Sequence, residues 1–138
     1  GIYAQNGTDL TMLGGYGVSE INTEANSFKY TPVNTFSWWT EVMTRFSKVN
    51  FGLFAGMANN LGSSDPIADG GEVYARGTNI DYVARISPRV IMGNQAIKVM
   101  LELNQTYAGY GTADSGLNVT DVEKVGNTRL QLHVKYSF

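Results

Sequence analysis

The chain of 138 residues contains no cysteine, three prolines and one histidine, His133. Without cysteine it can form neither a disulfide nor a thiolate metal site, and a single histidine leaves few ligands for a metal. No run of residues approaches the roughly 20 apolar residues that a membrane-spanning helix needs. The formal net charge is −2 and no basic cluster occurs, which argues against a nucleic-acid partner. We expect no metal, no cofactor and no nucleic acid.

The last ten residues alternate without exception between polar and apolar side chains. A strand of this kind has one apolar face and one polar face. The apolar face would carry Leu130, Leu132, Val134, Tyr136 and Phe138, and the polar face Arg129, Gln131, His133, Lys135 and Ser137. A chain that ends on an apolar aromatic residue is unusual because free termini normally fray in solvent. The feature is typical of bacterial outer-membrane barrels.

The same alternation recurs in residues 36–46, 51–58, 80–89 and 97–107, and nearly every charge in them falls on the polar parity. A transmembrane β-strand needs only about 9–11 residues, half of them polar. The pattern therefore predicts an all-β protein, an antiparallel up-and-down transmembrane β-barrel with about six strands in this chain. Small residues such as Gly52 alternate with larger ones in residues 51–58, and they would let another group approach closely.

The lengths of the predicted connections alternate as well. Long segments rich in Gly, Asp, Ser and Thr are predicted at residues 22–33, 62–75 and 109–127, and tight turns near Val49 and Gly93. Outer-membrane barrels have short periplasmic turns and long outer loops. The sequence therefore predicts that all long connections lie at one end of the barrel.

Aromatic residues are predicted to form the two girdles that mark the headgroup levels of a transmembrane barrel. A soluble sandwich could show the same alternation, but it has no reason to place its rings at the ends of strands. The predicted lipid-facing girdle comprises Phe36, Trp38, Tyr82 and Tyr107 toward the outer ends, and Phe46, Phe51, Tyr136 and Phe138 at the periplasmic ends.

Several segments resemble the C-terminal portion of Bacteroidetes-type outer-membrane porins. They are residues 51–65, 86–91, 101–111 and 127–138, together with 9–17 and 30–35. The resemblance implies a larger barrel, in the outer membrane of a Gram-negative bacterium, whose earlier strands are absent here. Closed barrels start at eight strands, and open edges in lipid cost several kcal/mol per unpaired group.

We therefore expect residues 1–138 to be a single barrel segment, incomplete at the N-terminus. The chain starts at Gly1 without Met, and no signal peptide is visible. The first strand is expected either to end within Ile2 to Gln5 or to run through Tyr16.

The polar parity predicts which side chains line the lumen. The predicted pore-lining residues are Trp39, Glu41, Arg45, Asp81, Arg85, Arg89, Lys98, Glu102, Arg129, His133 and Lys135. So many ionisable groups do not suit a dry core. We predict a water-filled channel for the passive diffusion of small polar solutes, a transport function without catalysis.

Three alternatives remain open: a plugged or structural outer-membrane barrel in which these groups form salt bridges, a soluble β-barrel or sandwich that binds an apolar ligand, and a barrel enzyme. The enzyme would need His133 and Ser137 as base and nucleophile. They are four residues apart along one strand, roughly 13 Å, and therefore cannot form a hydrogen-bonded pair.

The resemblance to porins also implies the partners of the chain. They are outer-membrane lipid, small polar solutes, and the barrel-assembly machinery, which would recognise the terminal strand through Leu132, Val134, Tyr136 and Phe138. Porins commonly form trimers, so a homo-oligomer is consistent with the resemblance, although no residue identifies an interface.

Overall fold

A computed structural model describes residues 2–5, 13–46 and 48–137, and its regular secondary structure is entirely β-strand. The strands are β1 (Ile2–Gln5), β2 (Gly14–Asn22), β3 (Ser27–Met43), β4 (Val49–Ser63), β5 (Val73–Arg76), β6 (Ile80–Gly93), β7 (Ile97–Ala113) and β8 (Val119–Tyr136). They form one antiparallel sheet in the order β5-β2-β3-β4-β6-β7-β8. The prediction of an all-β antiparallel protein is confirmed. Within the described ranges, no helix has the length and apolar character to cross a membrane.

Strand β1 does not add an eighth position to this order. It pairs with β3 along Asn34 to Ser37, directly after the part of β3 that pairs with β2. The two short strands thus follow one another along the same side of β3. The first strand does end within Ile2–Gln5, and β2 then begins separately at Gly14.

The connections are shorter than the sequence predicts. Only residues 23–26 join β2 to β3, where residues 22–33 were expected to be a loop, and only residues 114–118 join β7 to β8 instead of 109–127. Strand β8 alone has 18 residues. At about 3.3 Å per residue it is roughly 60 Å long, more than twice the apolar band of roughly 25 Å expected for a barrel. Beyond such a band both faces of a strand can be polar. The alternation of polar and apolar residues is then lost from the sequence, although the strands remain hydrogen-bonded to each other.

The third predicted loop, residues 62–75, is also partly strand. Only residues 64–72 lie between β4 and β5, and β5 pairs with β2 from Gly14↔Arg76 to Gly17↔Val73. The expectation of about six strands was therefore wrong, because β2 and β5 both fall in sequence that resembles loops. Strand β5 supplies partners for the backbone N–H and C=O groups along one edge of β2.

The two tight turns are confirmed, and side-chain oxygens stabilise both. In the turn after β6, the backbone N–H groups of Ala96 and Ile97 each donate to Asn94 Oδ1 at 2.9 Å. In the turn after β3, the N–H of Phe46 donates to Asn50 Oδ1 at 2.7 Å. Asparagine favours such turns because its side chain replaces a backbone acceptor.

The chain forms two compact units. Unit 1 consists of Gly1–Trp38, Met57–Val83 and Ala108–Val125, and unit 2 consists of Trp39–Gly56, Ala84–Tyr107 and Gly126–Phe138. The buried hydrophobic side chains of the described residues are Leu13, Val18, Val33 and Leu117, and all four belong to unit 1. In the described part of unit 2, no hydrophobic side chain is buried.

Segment 64–72 is fixed within unit 1 by backbone hydrogen bonds. The N–H of Ala68 donates to Val18 O at 3.0 Å, and the N–H of Ile67 donates to Ser115 O at 2.7 Å. The side chain of Ile67 lies against Gly17, where an added Cβ would be 2.4 Å from Ile67 Cδ1. The glycine-rich start of β2 therefore provides space for this segment.

Gly15 permits a close backbone approach between β2 and β5. Its φ is +140°, and an added Cβ would lie 2.3 Å from Tyr74 O and 2.6 Å from the Cβ of Ala75. Between Gly15 and Gly17, Tyr16 instead packs edge-on against Tyr30, with ring centroids 5.6 Å apart. Only glycine at position 15 fits between β2 and β5.

We predict that Gly15→Ala separates β5 from β2. Its methyl group meets backbone atoms, which cannot move aside as a side chain can, so the expected loss of stability is about 2 kcal/mol or more. The matched control is Gly70→Ala, where φ is +74° but no atom lies within 4 Å of the added Cβ. It should cost only the conformational penalty of roughly 1 kcal/mol. Limited proteolysis within residues 64–79 reports the separation, and equal cleavage of the two variants would contradict the steric argument.

Candidate functional site

The polar side chains of unit 2 meet on one face of strands β6 and β7. Arg85, Ser87 and Arg89 occupy alternate positions of β6, and Glu102 and Asn104 occupy alternate positions of β7. Alternate residues of a strand point to the same side of the sheet. The site therefore follows directly from the period-2 pattern of the sequence.

Burial in these strands is the reverse of what a soluble protein shows. Glu102 and Asn104 are only 7% and 3% exposed, whereas Leu101 and Leu103 are 43% and 41% exposed. Ser87 is also buried, while its neighbour Ile86 is exposed. At these positions of β6 and β7, the polar side chains are buried and the apolar side chains are exposed.

Asn104 joins three strands through its carboxamide. Its Oδ1 accepts hydrogen bonds from Ser87 Oγ at 2.8 Å and from the guanidinium of Arg85. Its Nδ2 donates to Glu102 Oε1 at 2.9 Å and to Gln131 Oε1 of β8 at 2.6 Å. Both acceptor positions and both N–H groups of the amide are thereby used. A buried amide without partners would cost about 1–3 kcal/mol, so this arrangement is what makes its burial possible.

Glu102 forms ion pairs with two arginines of β6. Its Oε1 lies 3.2 Å from Arg85 Nη2, and its Oε2 lies 3.3 Å from Arg89 Nη1. Arg89 also pairs through Nη2 with Glu41 of β3. To reach Glu41 it passes over β4 at Gly52, where an added Cβ would be 2.8 Å from Arg89 Nε. The prediction that the small residue at position 52 permits close approach is confirmed.

Two further contacts extend this cluster. The guanidinium carbon of Arg85 lies 5.7 Å from the ring centroid of Phe54, within the range of a cation–π interaction. Arg129 Nη2 donates to Gln131 Oε1 at 2.9 Å. We call the whole set the polar network, and its members are Glu41, Arg85, Ser87, Arg89, Glu102, Asn104, Arg129 and Gln131.

Five of the predicted pore-lining residues belong to the polar network: Glu41, Arg85, Arg89, Glu102 and Arg129. The other six are not part of it. Trp39, Arg45, Lys98, His133 and Lys135 are exposed residues of unit 2, and Asp81 is a half-buried residue of unit 1. That these side chains face a water-filled lumen stays a prediction. The alternation placed Ser87, Asn104 and Gln131 on the polar parity, but the pore-lining prediction left them out because it considered mainly charged groups.

The face opposite the polar network is apolar and exposed. Nine of its exposed members in unit 2 are Phe51, Leu53, Ile86, Leu101, Leu103, Leu130, Leu132, Val134 and Tyr136. We call this set the apolar row. It contains Leu132, Val134 and Tyr136 of the predicted assembly signal, while Phe138 lies outside the described residues.

The predicted girdle residues fall into two groups. Phe36, Trp38, Phe46, Phe51 and Tyr136 are exposed. Tyr82 and Tyr107 are half-buried because each covers a glycine of the next strand: added Cβ atoms at Gly109 and Gly126 would lie 2.6 Å and 3.2 Å from the Cε1 atoms of these rings. Aromatic rings commonly cover glycines in sheets in this way.

Comparison of the chain with protein-family models, with curated proteins and with solved structures found no match in any of the three. Within residues 2–5, 13–46 and 48–137, no three His, Cys, Asp or Glu side chains form a group that could hold a metal ion.

We predict that Glu102→Gln destabilises the protein more than Glu41→Gln. Both changes remove a carboxylate that pairs with Arg89, but only the Glu102 carboxylate also pairs with Arg85 and is buried. The loss at Glu102 should be about 2 kcal/mol, as expected for charge-assisted hydrogen bonds away from solvent. At Glu41, whose side chain is 44% exposed, it should be below about 1 kcal/mol. Urea unfolding of each variant measures both losses of stability, and equal losses would show that Glu102 does not organise the network.

Proposed function

We propose that this chain is part of a porin-like channel of the bacterial outer membrane, which lets small polar solutes diffuse passively. The observation that supports this function is the reversed burial in β6 and β7 of unit 2, where Ser87, Glu102 and Asn104 of the polar network are buried and the apolar row is exposed. A barrel with a polar lumen and a lipid-facing surface requires this arrangement. No catalytic step or cofactor is part of the proposal.

The apolar row supports contact with lipid rather than water. A fully exposed leucine forgoes about 1.5–3 kcal/mol compared with a buried one, and soluble monomers rarely expose large contiguous apolar patches. Contact with acyl chains would remove the same surface from water. A soluble sandwich is disfavoured, because such a fold encloses its hydrophobic side chains and none is buried among the described residues of unit 2.

The edges of the sheet support a larger barrel. Strand β8 is at one end of the strand order, so one of its sides has no neighbouring strand in the described structure. Unpaired backbone groups are costly in lipid, and closure is the way in which β-proteins avoid them there. The resemblance to Bacteroidetes-type porins suggests that the remaining strands belong to the same protein.

A plugged or structural barrel is the second candidate, and two observations favour it. Segment 64–72 is held against β2 and β3 of unit 1, with the N–H of Asp65 donating to Thr31 Oγ1 at 3.2 Å. In unit 2, the arginines of β6 are tied to carboxylates, as a rigid wall would require. Only a measurement of conductance separates this candidate from an open channel.

We predict that Leu132→Arg impairs insertion into lipid while His133→Arg does not. The two residues are neighbours on β8, but Leu132 belongs to the apolar row, whereas His133 is an exposed residue of the polar parity outside the polar network. An arginine facing hydrocarbon near the bilayer midplane costs about 2–4 kcal/mol, whereas an arginine on the polar face meets water or polar groups. Folding into lipid vesicles, followed by the change in electrophoretic mobility on heating, measures insertion. If both variants insert equally well, the apolar row does not face lipid.

For the channel itself, we predict discrete current steps when the full-length protein is added to planar lipid bilayers, since polar solutes need a continuous aqueous path. Protein heated to denaturation before addition is the control for contaminating activity. A protein that folds into lipid but passes no current would be the plugged or structural barrel. A protein that stays monomeric and folded without detergent would contradict both candidates.

A further inference from the structure

The two units differ sharply in charge. Unit 2 contains seven of the ten Lys and Arg residues of the chain but only two of its twelve Asp and Glu residues, Glu41 and Glu102. Unit 1 contains the other three basic and ten acidic residues. The formal charges are therefore +5 for unit 2 and −7 for unit 1, although the net charge of the whole chain is close to neutral.

The two carboxylates of unit 2 already form ion pairs with arginines. Both pair with Arg89, and Glu102 pairs with Arg85 as well. The remaining basic side chains of unit 2 are Arg45, Lys48, Lys98, Arg129 and Lys135. In the part of the chain that the structure describes, none of these five is within salt-bridge distance of a carboxylate. Their positive charge is consequently available to a mobile anion.

Two of these lysines line one cavity beside the tight turns of unit 2. The cavity has a volume of about 510 Å³, and Lys48, Lys98, Asn50 and Asn94 are among its lining residues, with no Asp or Glu. The side-chain oxygens of Asn50 and Asn94 accept hydrogen bonds from backbone N–H groups in the turns. Their side-chain NH₂ groups can therefore donate hydrogen bonds to a ligand. Ammonium groups and amide N–H groups are donors suited to anions.

We propose that the solutes admitted by this chain are small anions, and that Lys48 and Lys98 capture them in this cavity. The inference depends on the proposed channel function and specifies the class of solute. Lys98 shares its parity on β7 with Glu102 and Asn104, so the capture site lies on the same face of that strand as the polar network.

The electrostatic effect of each lysine is modest but measurable. A unit charge roughly 7 Å from an ion changes its energy by about 0.6 kcal/mol in water, which is a factor of about three in local concentration. Two lysines together should change the preference for anions by about threefold to tenfold. The effect requires dilute salt, because the screening length is only about 10 Å at 0.1 M.

The test is the permeability ratio of chloride to potassium, obtained from the reversal potential of the full-length protein in planar bilayers across a potassium chloride gradient. We expect a ratio above one, and a decrease of about threefold or more in the double variant Lys48→Gln with Lys98→Gln. The matched control is Lys29→Gln with Lys124→Gln, which removes the same charge from unit 1. It should leave the ratio nearly unchanged.

A conducting protein that prefers potassium, or whose ratio is the same in the Lys48/Lys98 variant and the control, would overturn the inference and leave the channel function standing. If no current flows, the channel function fails, and the binding of inorganic phosphate decides the capture site. We expect the ³¹P resonance of phosphate to broaden with the detergent-solubilised protein and to broaden much less with the Lys48/Lys98 variant. Absence of this difference would overturn the capture site independently of conduction.

Discussion

The enclosed carboxylate of Glu102 is the constraint on which the organisation of unit 2 depends. A buried charge is stable only when opposite charges and hydrogen bonds replace water. Two arginines and Asn104 do so here, and each of them fixes a further group: Arg89 reaches Glu41 over Gly52, and Asn104 reaches Gln131 on β8. One side chain on β7 thereby determines how polar groups from four strands are arranged.

The two units share the alternating pattern of polar and apolar residues but differ in whether hydrophobic side chains are buried. Unit 1 has a small conventional core with Val18 and Val33, and segment 64–72 packs beside it where glycines of β2 make space. Unit 2 has no buried hydrophobic side chain among its described residues, so hydrophobic burial within the unit cannot hold its strands together. Backbone pairing and the polar network remain as its internal contacts. A surrounding apolar phase would supply the missing hydrophobic contribution, which is the physical argument for a membrane.

The period of two along each strand made the faces of unit 2 predictable from sequence. Glu102 and Leu101 were assigned to opposite sides because neighbouring residues of a strand must point apart, and their burial confirms the separation. The ends of the strands were not predictable in this way. Strand β2 is rich in glycine and β5 has four residues, so neither shows the pattern, and both form because backbone groups pair with each other. The uncharged members of the network were left out of the predicted pore lining because a serine or an amide has no distinctive sequence signal.

The distribution of charge favours a polar face that attracts anions over a polar face that is purely structural. A purely structural wall would be best served by equal numbers of acidic and basic groups, since every unpaired charge repels its neighbours. Unit 2 instead pairs its two carboxylates and leaves five basic side chains without an acidic partner in the described residues, two of them at one cavity. An excess of one sign in a confined aqueous space raises the local concentration of the opposite ion. The same excess that makes unit 2 a poor self-contained scaffold therefore suits it to attract anions.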